Sequence, residues 1–380
     1  MSPNKMRIAF VVSEDWFFVS HFLPMLRAAK DAGLDPIIVT RVNRHRETLE
    51  ELGARVVRLN IERRNIGPLA VAASVLRMAN ILRRERVDIV HCIALRSIIL
   101  GGLAANLAGV TNRVLAVTGG GLLTANKGFT AGLSRGFLRN VIRLIALRGS
   151  NRFLFENVTD PLSFGLASDA PNVTILPGAG VDPDFYVSKP LPEGEGLKIA
   201  MVSRMVWSKG ADLAVEAVSL SRARGYDVSL SLFGTPDPSN PRSLSENILK
   251  DWSQRPGIAW CGATTDVREV WAAHDLACLP TRGGEGLPRS ILEAGACGRA
   301  ILTTDVPGCR DFIREGKEGW LVPPDNAPAL ADRICGLAED HKQVAEAGRA
   351  ARARILAGFT EAHVMEKVTA LYRSFGPPRR

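Results

Sequence analysis

The stretch "GGEGLPRSILEAG", residues 283–295, sets two carboxylates, Glu285 and Glu293, around a glycine-rich turn that leads into a helix. Pro288 suits the first helical position, where its missing N–H costs nothing. Glycine lets backbone come close to a ligand, and a helix start presents unpaired N–H groups beside the positive end of the dipole. The amides of Gly286 and Leu287 therefore form an anion site for a phosphate or diphosphate. Glu293 falls about one and a half turns into the helix, on the side where a ribose diol would sit. Glu285 stands on the loop and faces the group at the other end of the diphosphate. If that group is a sugar, the carboxylate binds its hydroxyls or stabilises positive charge developing at the anomeric carbon.

A second signal is "SRMVWSKG", residues 203–210, with Arg204 just past an apolar strand and Lys209 ahead of a glycine and a helix. Two cations on one strand-to-helix loop can neutralise a diphosphate leaving group. "DPD" at 182–184 formally matches a carboxylate pair for Mg²⁺ or Mn²⁺. Turn chemistry accounts for it better, and with Arg204 and Lys209 supplying charge no metal is expected. His21 precedes an amphipathic segment and reads either as a helix-start residue or as an acceptor-side group. His91 and His274 lie beside apolar strand segments and read as packed residues. In "AVTGGGLL", residues 116–123, Gly119, Gly120 and Gly121 form either a plain turn or part of an acceptor-binding loop.

Elements that could position these groups recur in two series. In the first half, "RIAFVV" (7–12), "PIIVT" (36–40), "RVVRL" (55–59) and "DIVHC" (88–92) read as strands, separated by helical patterns at 21–32, 45–52 and 68–85. The alternation restarts at 197–205 and continues through 227–234, 258–262, 276–281, 300–304 and 319–324, with helices between. Apolar strands alternating with helices of this length predict an α/β fold with doubly wound parallel sheets. "KPLPEGEG" (189–196) reads as the linker, which gives domains 1–190 and 191–357. A last helical stretch within 358–380 follows Gly358 and could cross back onto the first domain. Ligands of such sheets bind beyond the carboxyl ends of the strands, so two such domains would frame a cleft between those edges.

Length and composition agree. The chain has 380 residues, 46% hydrophobic and 23% charged, which fits a two-domain globular protein and excludes a disordered one. Its start is too short in apolar residues and too charged for a signal peptide, and no apolar run reaches the roughly 18 residues of a spanning helix. The six cysteines include no CxxC pair and read as reduced thiols. A cytoplasmic location is expected. The net charge of +9 lies wholly in the first 190 residues, which carry 24 Lys+Arg against 15 Asp+Glu, the remainder carrying 24 of each. Residues 89–155 contain no Asp or Glu at all, and Arg135, Arg139 and Arg143 recur there at helical spacing among apolar residues. Such a helix suits peripheral attachment to an anionic membrane; a core-facing helix with a solvated arginine edge is the alternative. With few aromatics and no recognition motif, nucleic acid is not an expected partner.

"SRMVWSKG", "WCGATTDVREVWAAHDLACLPT" (260–281) and "EGLPRSILEAGACGRAILTTDVPGCRDFI" (285–313), preceded by "LPGAGVDPDFY" (176–186), together resemble the retaining glycosyltransferases of family four. The resemblance implies GT-B architecture, two Rossmann-like doubly wound domains facing across a cleft. It further implies that Arg204 and Lys209 grip the donor diphosphate with the amides of Gly286 and Leu287. Glu293 then binds the ribose, Glu285 faces the donor sugar, and Gly262, Ala263 and Thr264 lie in the base-binding loop. The amino-terminal half departs from the family pattern: "VVSEDWFFVSHFLP" replaces a glycine-rich loop after the first strand. Thr118 stands where relatives carry a histidine, so no histidine role is carried over. "VTGGG" and "FLFENVTD" (153–160) are nearer to members that extend lipid-linked oligosaccharides.

The expected activity is retaining transfer of a hexose or N-acetylhexosamine from a nucleotide-diphosphate sugar, a UDP sugar foremost, to a hydroxyl of a lipid-linked or cell-surface glycan. Polysaccharide or lipopolysaccharide biosynthesis at the inner face of the cytoplasmic membrane is its expected setting. Thr118, Gly119, Gly120 and His21 are the acceptor-side candidates. A nucleotide-sugar epimerase on the same architecture, and a non-catalytic membrane-surface scaffold, are the alternatives.

Overall fold

A computed structural model of the chain describes residues 5–59, 67–119, 136, 140–145, 148–284 and 286–376. Its contacts divide into two units, Met1–Ala179 with Glu361–Arg380, and Gly180–Thr360.

The first unit is built on seven parallel strands: β1 (Arg7–Glu14), β2 (Asp35–Arg41), β3 (Arg55–Arg58), β4 (Ile89–Ile93), β5 (Asn112–Val117), β6 (Ser150–Phe155) and β7 (Val173–Ile175). Their order is β3-β2-β1-β4-β5-β6-β7. Both faces are covered, so the strands read as continuous apolar runs. Along β1, Ile8, Phe10 and Val12 enter one core and Ala9 and Val11 the other. Helices Pro68–Arg84 and Leu95–Ala108 and the helical residues 140–145 pack on the Val11 side. Helices Asp15–His21 and Leu23–Asp31 pack on the Phe10 side. The last helix, Glu361–Arg373, belongs to the first unit and lies on Leu23–Asp31. Its Val364, Val368, Leu371 and Tyr372 are buried in that same core.

The second unit repeats the plan with β8 (Leu197–Val202), β9 (Val228–Phe233), β10 (Ile258–Gly262), β11 (Leu276–Leu279), β12 (Ala300–Thr304) and β13 (Gly319–Val322), in the order β10-β9-β8-β11-β12-β13. The contact boundary lies at 179/180, upstream of the expected 190/191. Hydrogen bonds explain the difference. Val181 N–H donates to Phe359 O at 3.2 Å, Arg352 donates to the carbonyls of Pro183 and Tyr186, and Arg299 to those of Lys189 and Pro190. Leu191 packs on the second core, so the proline-rich stretch is part of the second unit and not a free tether.

Candidate active site

In each unit the strand order reverses between the first strand and the fourth, β1 and β4 or β8 and β11. The crevice beyond the carboxyl ends of that pair is where doubly wound sheets bind ligands. In the second unit the two loops that leave this switch point are the two stretches singled out by sequence. The 203–210 loop follows β8 and closes with the 3₁₀ turn Trp207–Lys209 and Gly210. The 280–288 loop follows β11 and runs into the helix Arg289–Ala296. Pro288 is the residue before that helix, φ −61° and ψ 126°, one place earlier than expected.

These loops are bonded to each other. The carbonyl of Ser208 accepts from the Arg282 N–H at 2.8 Å and from Thr281 Oγ1 at 3.1 Å. Gly210 sits at φ +76°, and a Cβ there would lie 2.0 Å from the Pro280 carbonyl oxygen, so only glycine permits the approach. A third loop, after β12, joins them. A Cβ on Gly308 would lie 1.7 Å from the Gly286 oxygen.

Arg282 ties the arrangement from within, its side chain only 7% exposed. Nη1 and Nη2 donate to the two oxygens of Asp212 at 2.9 and 2.7 Å, Nη1 also to Trp207 O at 2.6 Å, and Nε to Asp325. Burial pulls its pKa down, but the two carboxylates raise it overall. Its guanidinium lies 4.1 Å from the centroid of the Trp207 ring, and that of Arg242 lies 3.2 Å from it.

Arg204, about half exposed, pairs through Nη1 with Asp237 at 2.6 Å. Asp237 stands on the loop after β9; burial pushes its carboxyl up, and Ser239 and Arg204 together bring it below the usual range. Lys209 is half-buried on the 3₁₀ turn. Glu293 is largely buried, and its Oε1 accepts from Tyr186 Oη at 2.9 Å and Arg289 Nε at 2.8 Å. Burial and the Glu293 charge raise the Tyr186 pKa, so the phenol stays a donor. Gly286 and Leu287 are buried, the Leu287 side chain within the unit's core. Glu285 lies outside the described residues.

Gly262, at φ +70°, ends β10 and leads through Ala263 to Thr264 at the same carboxyl edge, with β9 between it and the switch point. The Gly262 carbonyl accepts from Gly234 N–H at 2.6 Å, and Thr264 Oγ1 accepts from Asp266 N–H at 3.2 Å. Asp266 caps the next helix, and its bonds to Arg268 hold its pKa down to about 2. In "DPD", Asp182 Oδ1 accepts from the N–H groups of Asp184 and Phe185 at 2.9 and 3.4 Å, which is a turn.

In the first unit the switch point carries acid where the family pattern has a glycine-rich loop. Asp15 is fully buried and accepts N–H bonds from Asn43, Arg44 and His45 at 2.7, 3.1 and 3.1 Å. Burial pushes its pKa up, and these donors bring it net below the usual range. The acid thus fixes the loop after β2. Ala94, directly after β4, holds φ +69°, strained for a residue with a Cβ. Thr118 and Gly119 follow β5 at the same edge, half-buried, and Gly119 has φ +103°. Gly120 and Gly121 lie outside the described residues. His21 ends the helix Asp15–His21, with Nδ1 2.6 Å from Ser20 Oγ and its ring on Phe17. Of the three spaced arginines only Arg143 is described; it is exposed, while Ile142 and Ile145 beside it are core. His91 and His274 are both packed, Nδ1 of each 2.7 Å from Tyr372 Oη and Val270 O respectively.

Sequence reasoning did not single out Arg282, Asp237, Tyr186 or Arg289. Arg289 was findable from its i, i+4 spacing to Glu293. Asp237 and Tyr186 lie 33 and 107 residues from their partners, with no local signal.

Comparison with known proteins agrees with this fold. Residues 7–157 match the family model described as glycosyl transferase 4-like, and residues 196–340 match glycosyl transferases group 1. A Campylobacter jejuni protein, N,N′-diacetylbacillosaminyl-diphospho-undecaprenol alpha-1,3-N-acetylgalactosaminyltransferase, is 27% identical over 353 residues, 89% of this chain and 90% of its own length. A glycosyltransferase from Rickettsia africae superposes with a TM-score of 0.76 at 19% identity over 98% of this chain and 99% of that one. Anabaena HepE, solved with UDP and glucose, gives 0.76 at 18% identity over 97% and 100%. The chain is a glycosyltransferase with two Rossmann-like domains, the GT-B architecture. Within that class it belongs to the family-four type, one family model falling on each half of the chain.

Proposed function

We propose that this enzyme moves a hexose or N-acetylhexosamine, with retention at the anomeric carbon, from a nucleotide-diphosphate sugar to a hydroxyl of a lipid-linked glycan. The observation that carries the donor half is the shared Ser208 carbonyl, which ties the Arg204–Lys209 loop to the loop leading into the helix of Glu293. Arg204 and Lys209 then offset the charge of the departing diphosphate. Glu293, oriented by Tyr186 and Arg289, accepts from the ribose diol, and Glu285 steadies the sugar as its anomeric carbon gains charge. With two cations in that role the reaction needs no divalent metal. Support for the acceptor comes from the Campylobacter jejuni relative, named for N-acetylgalactosaminyl transfer to a diphospho-undecaprenol-linked sugar. HepE, solved with UDP, makes UDP sugars the first donors to try. Among the described residues no helix is long and apolar enough to cross a membrane, and we place the enzyme peripherally on the inner face of the cytoplasmic membrane.

The test is incubation of the full chain with UDP-N-acetylhexosamines, UDP-hexoses and their GDP counterparts, with and without a polyprenyl-diphosphate sugar. The expected product carries the donor's anomeric configuration, forms only with acceptor, and forms at the same rate after chelation. Glu285→Ala is expected to fold but to lose roughly 10²–10³ of turnover. An epimerised donor with no dependence on acceptor would make the protein an epimerase instead.

A further inference from the structure

The helix Pro68–Arg84 is apolar on two sides. Val75, Met78, Ala79 and Leu82 are packed into the core of the first unit. Leu69, Ala72, Ala73 and Leu76 are exposed, at spacings that put them on a single opposite face. Leu69 is 87% exposed and Leu76 62%. An apolar stripe of this kind on a folded domain marks an interaction surface.

Charge indicates what covers it. The helix contains no Asp or Glu, and neither does Leu95–Ala108, on which it packs. Nor do the helical residues 140–145, whose Ile145 lies against Gly102. Arg77 and Arg84 lie exposed on the face of the leucines. Arg143 is exposed on the third helical segment, next to Leu144 at 57%. Glu85, one residue beyond the helix, is paired with Arg55 at 2.9 Å. The buried Arg113, by contrast, turns inward to the carbonyls of Ile145 and Arg148 and adds nothing to this face.

We propose that this helical layer docks flat on an anionic phospholipid bilayer, with Leu69 and Leu76 entering the headgroup boundary and the arginines meeting lipid phosphates. A helix lying in that interface needs apolar residues on its buried face and long cationic side chains that reach back to the headgroups. Because the helix follows β3, its first turn lies at the carboxyl edge of the sheet, the edge that carries Thr118 and Gly119. Docking therefore holds that edge at the surface where a lipid-linked hydroxyl is found. Its purpose rests on the acceptor reading above; the docking itself does not.

Sedimentation of the full chain with phosphatidylcholine vesicles, with and without phosphatidylglycerol, tests it. The protein is expected to pellet only with the anionic vesicles. Leu69→Glu/Leu76→Glu is expected to lower binding at least about tenfold, and Arg77→Glu/Arg84→Glu comparably. Both variants are expected to melt with the parent; should one melt early, Leu76→Ser gives the same comparison with a milder change. Binding by the leucine variant equal to the parent, or no preference for anionic vesicles, overturns the proposal. So does capture by heparin beads that the leucine changes leave unaltered, without vesicle binding, which would assign the face to a soluble polyanion. Vesicle binding without sugar transfer would sink the transfer reading and leave the docking standing, and the reverse result would do the opposite.

Discussion

Arg282 commits all three guanidinium nitrogens, to Asp212, Asp325 and the Trp207 carbonyl, and by doing so fixes the distance between the two loops of the switch point. A single side chain thus ties together the two loops of the proposed donor site. Arg282→Met leaves the half-buried Asp212 without its fork and is expected to cost about 2 kcal/mol, between the values for exposed and buried pairs. Thermal melts measure that cost; kcat/KM for the nucleotide sugar is expected to fall further, because Arg204 and Lys209 ride on the released loop. A variant that melts early yet keeps full activity would separate Arg282 from catalysis. The residues proposed to bear chemistry, Glu285, Glu293, Arg204 and Lys209, stood out in the sequence because they lie beside glycine turns and helix starts with strict local spacing. Their supports are less visible. Tyr186 meets Glu293 only because the segment before β8 packs onto the second unit, a tertiary fact that no local pattern encodes.

Elements position these residues through the closeness of three crossover loops. Gly308→Ala would drive a Cβ to 1.7 Å from the Gly286 oxygen at φ +84°, so the 280–288 loop must move. Donor affinity measured by calorimetry is expected to drop about tenfold or more, with the sheet intact by circular dichroism. In the first unit the last helix is pinned to β4 by the bond between His91 and Tyr372, in a site where burial pushes the His91 pKa down to about 3. Unfolding restores about 6.5, so below that pH the unfolded chain takes up a proton that the folded one refuses. Stability is therefore complete above about pH 6.5 and falls by up to about 1.4 kcal/mol per pH unit below it. His91→Gln is expected to show a flatter melting temperature between about pH 7 and pH 5 than the parent. An equal slope would mean that other groups set the acid limb. The strands β1 to β4 and β8 to β13 were legible because apolar runs broken by helical periodicity leave few alternatives, whereas β5, β6 and β7 and the helices Leu95–Ala108, Ala327–Glu339 and His341–Gly358 went unassigned. The helix Asp15–His21 was not legible either, because its run of Trp16, Phe17 and Phe18 lacks amphipathic spacing and its acid is turned inward to bond the loop after β2.

At the scale of the molecule, one plan is used twice and then specialised. The second unit places cations, a buried carboxylate and glycine loops at its switch point; the first carries the excess positive charge and a helical layer free of carboxylates. The return of Glu361–Arg373 makes the first unit discontinuous in sequence, and the contact boundary falls upstream of "KPLPEGEG" because the carbonyls of Lys189 and Pro190 accept from the buried Arg299 and hold that stretch to the second unit. Division of labour between the units is the central claim, and the donor half can be measured alone. Isothermal calorimetry of the full chain with UDP, GDP and their sugars is expected to give saturable binding of one nucleotide series, weakened about tenfold or more by Arg204→Ala and by Glu293→Gln. Heat of binding that both substitutions leave unchanged, or none with any nucleotide sugar, would contradict it.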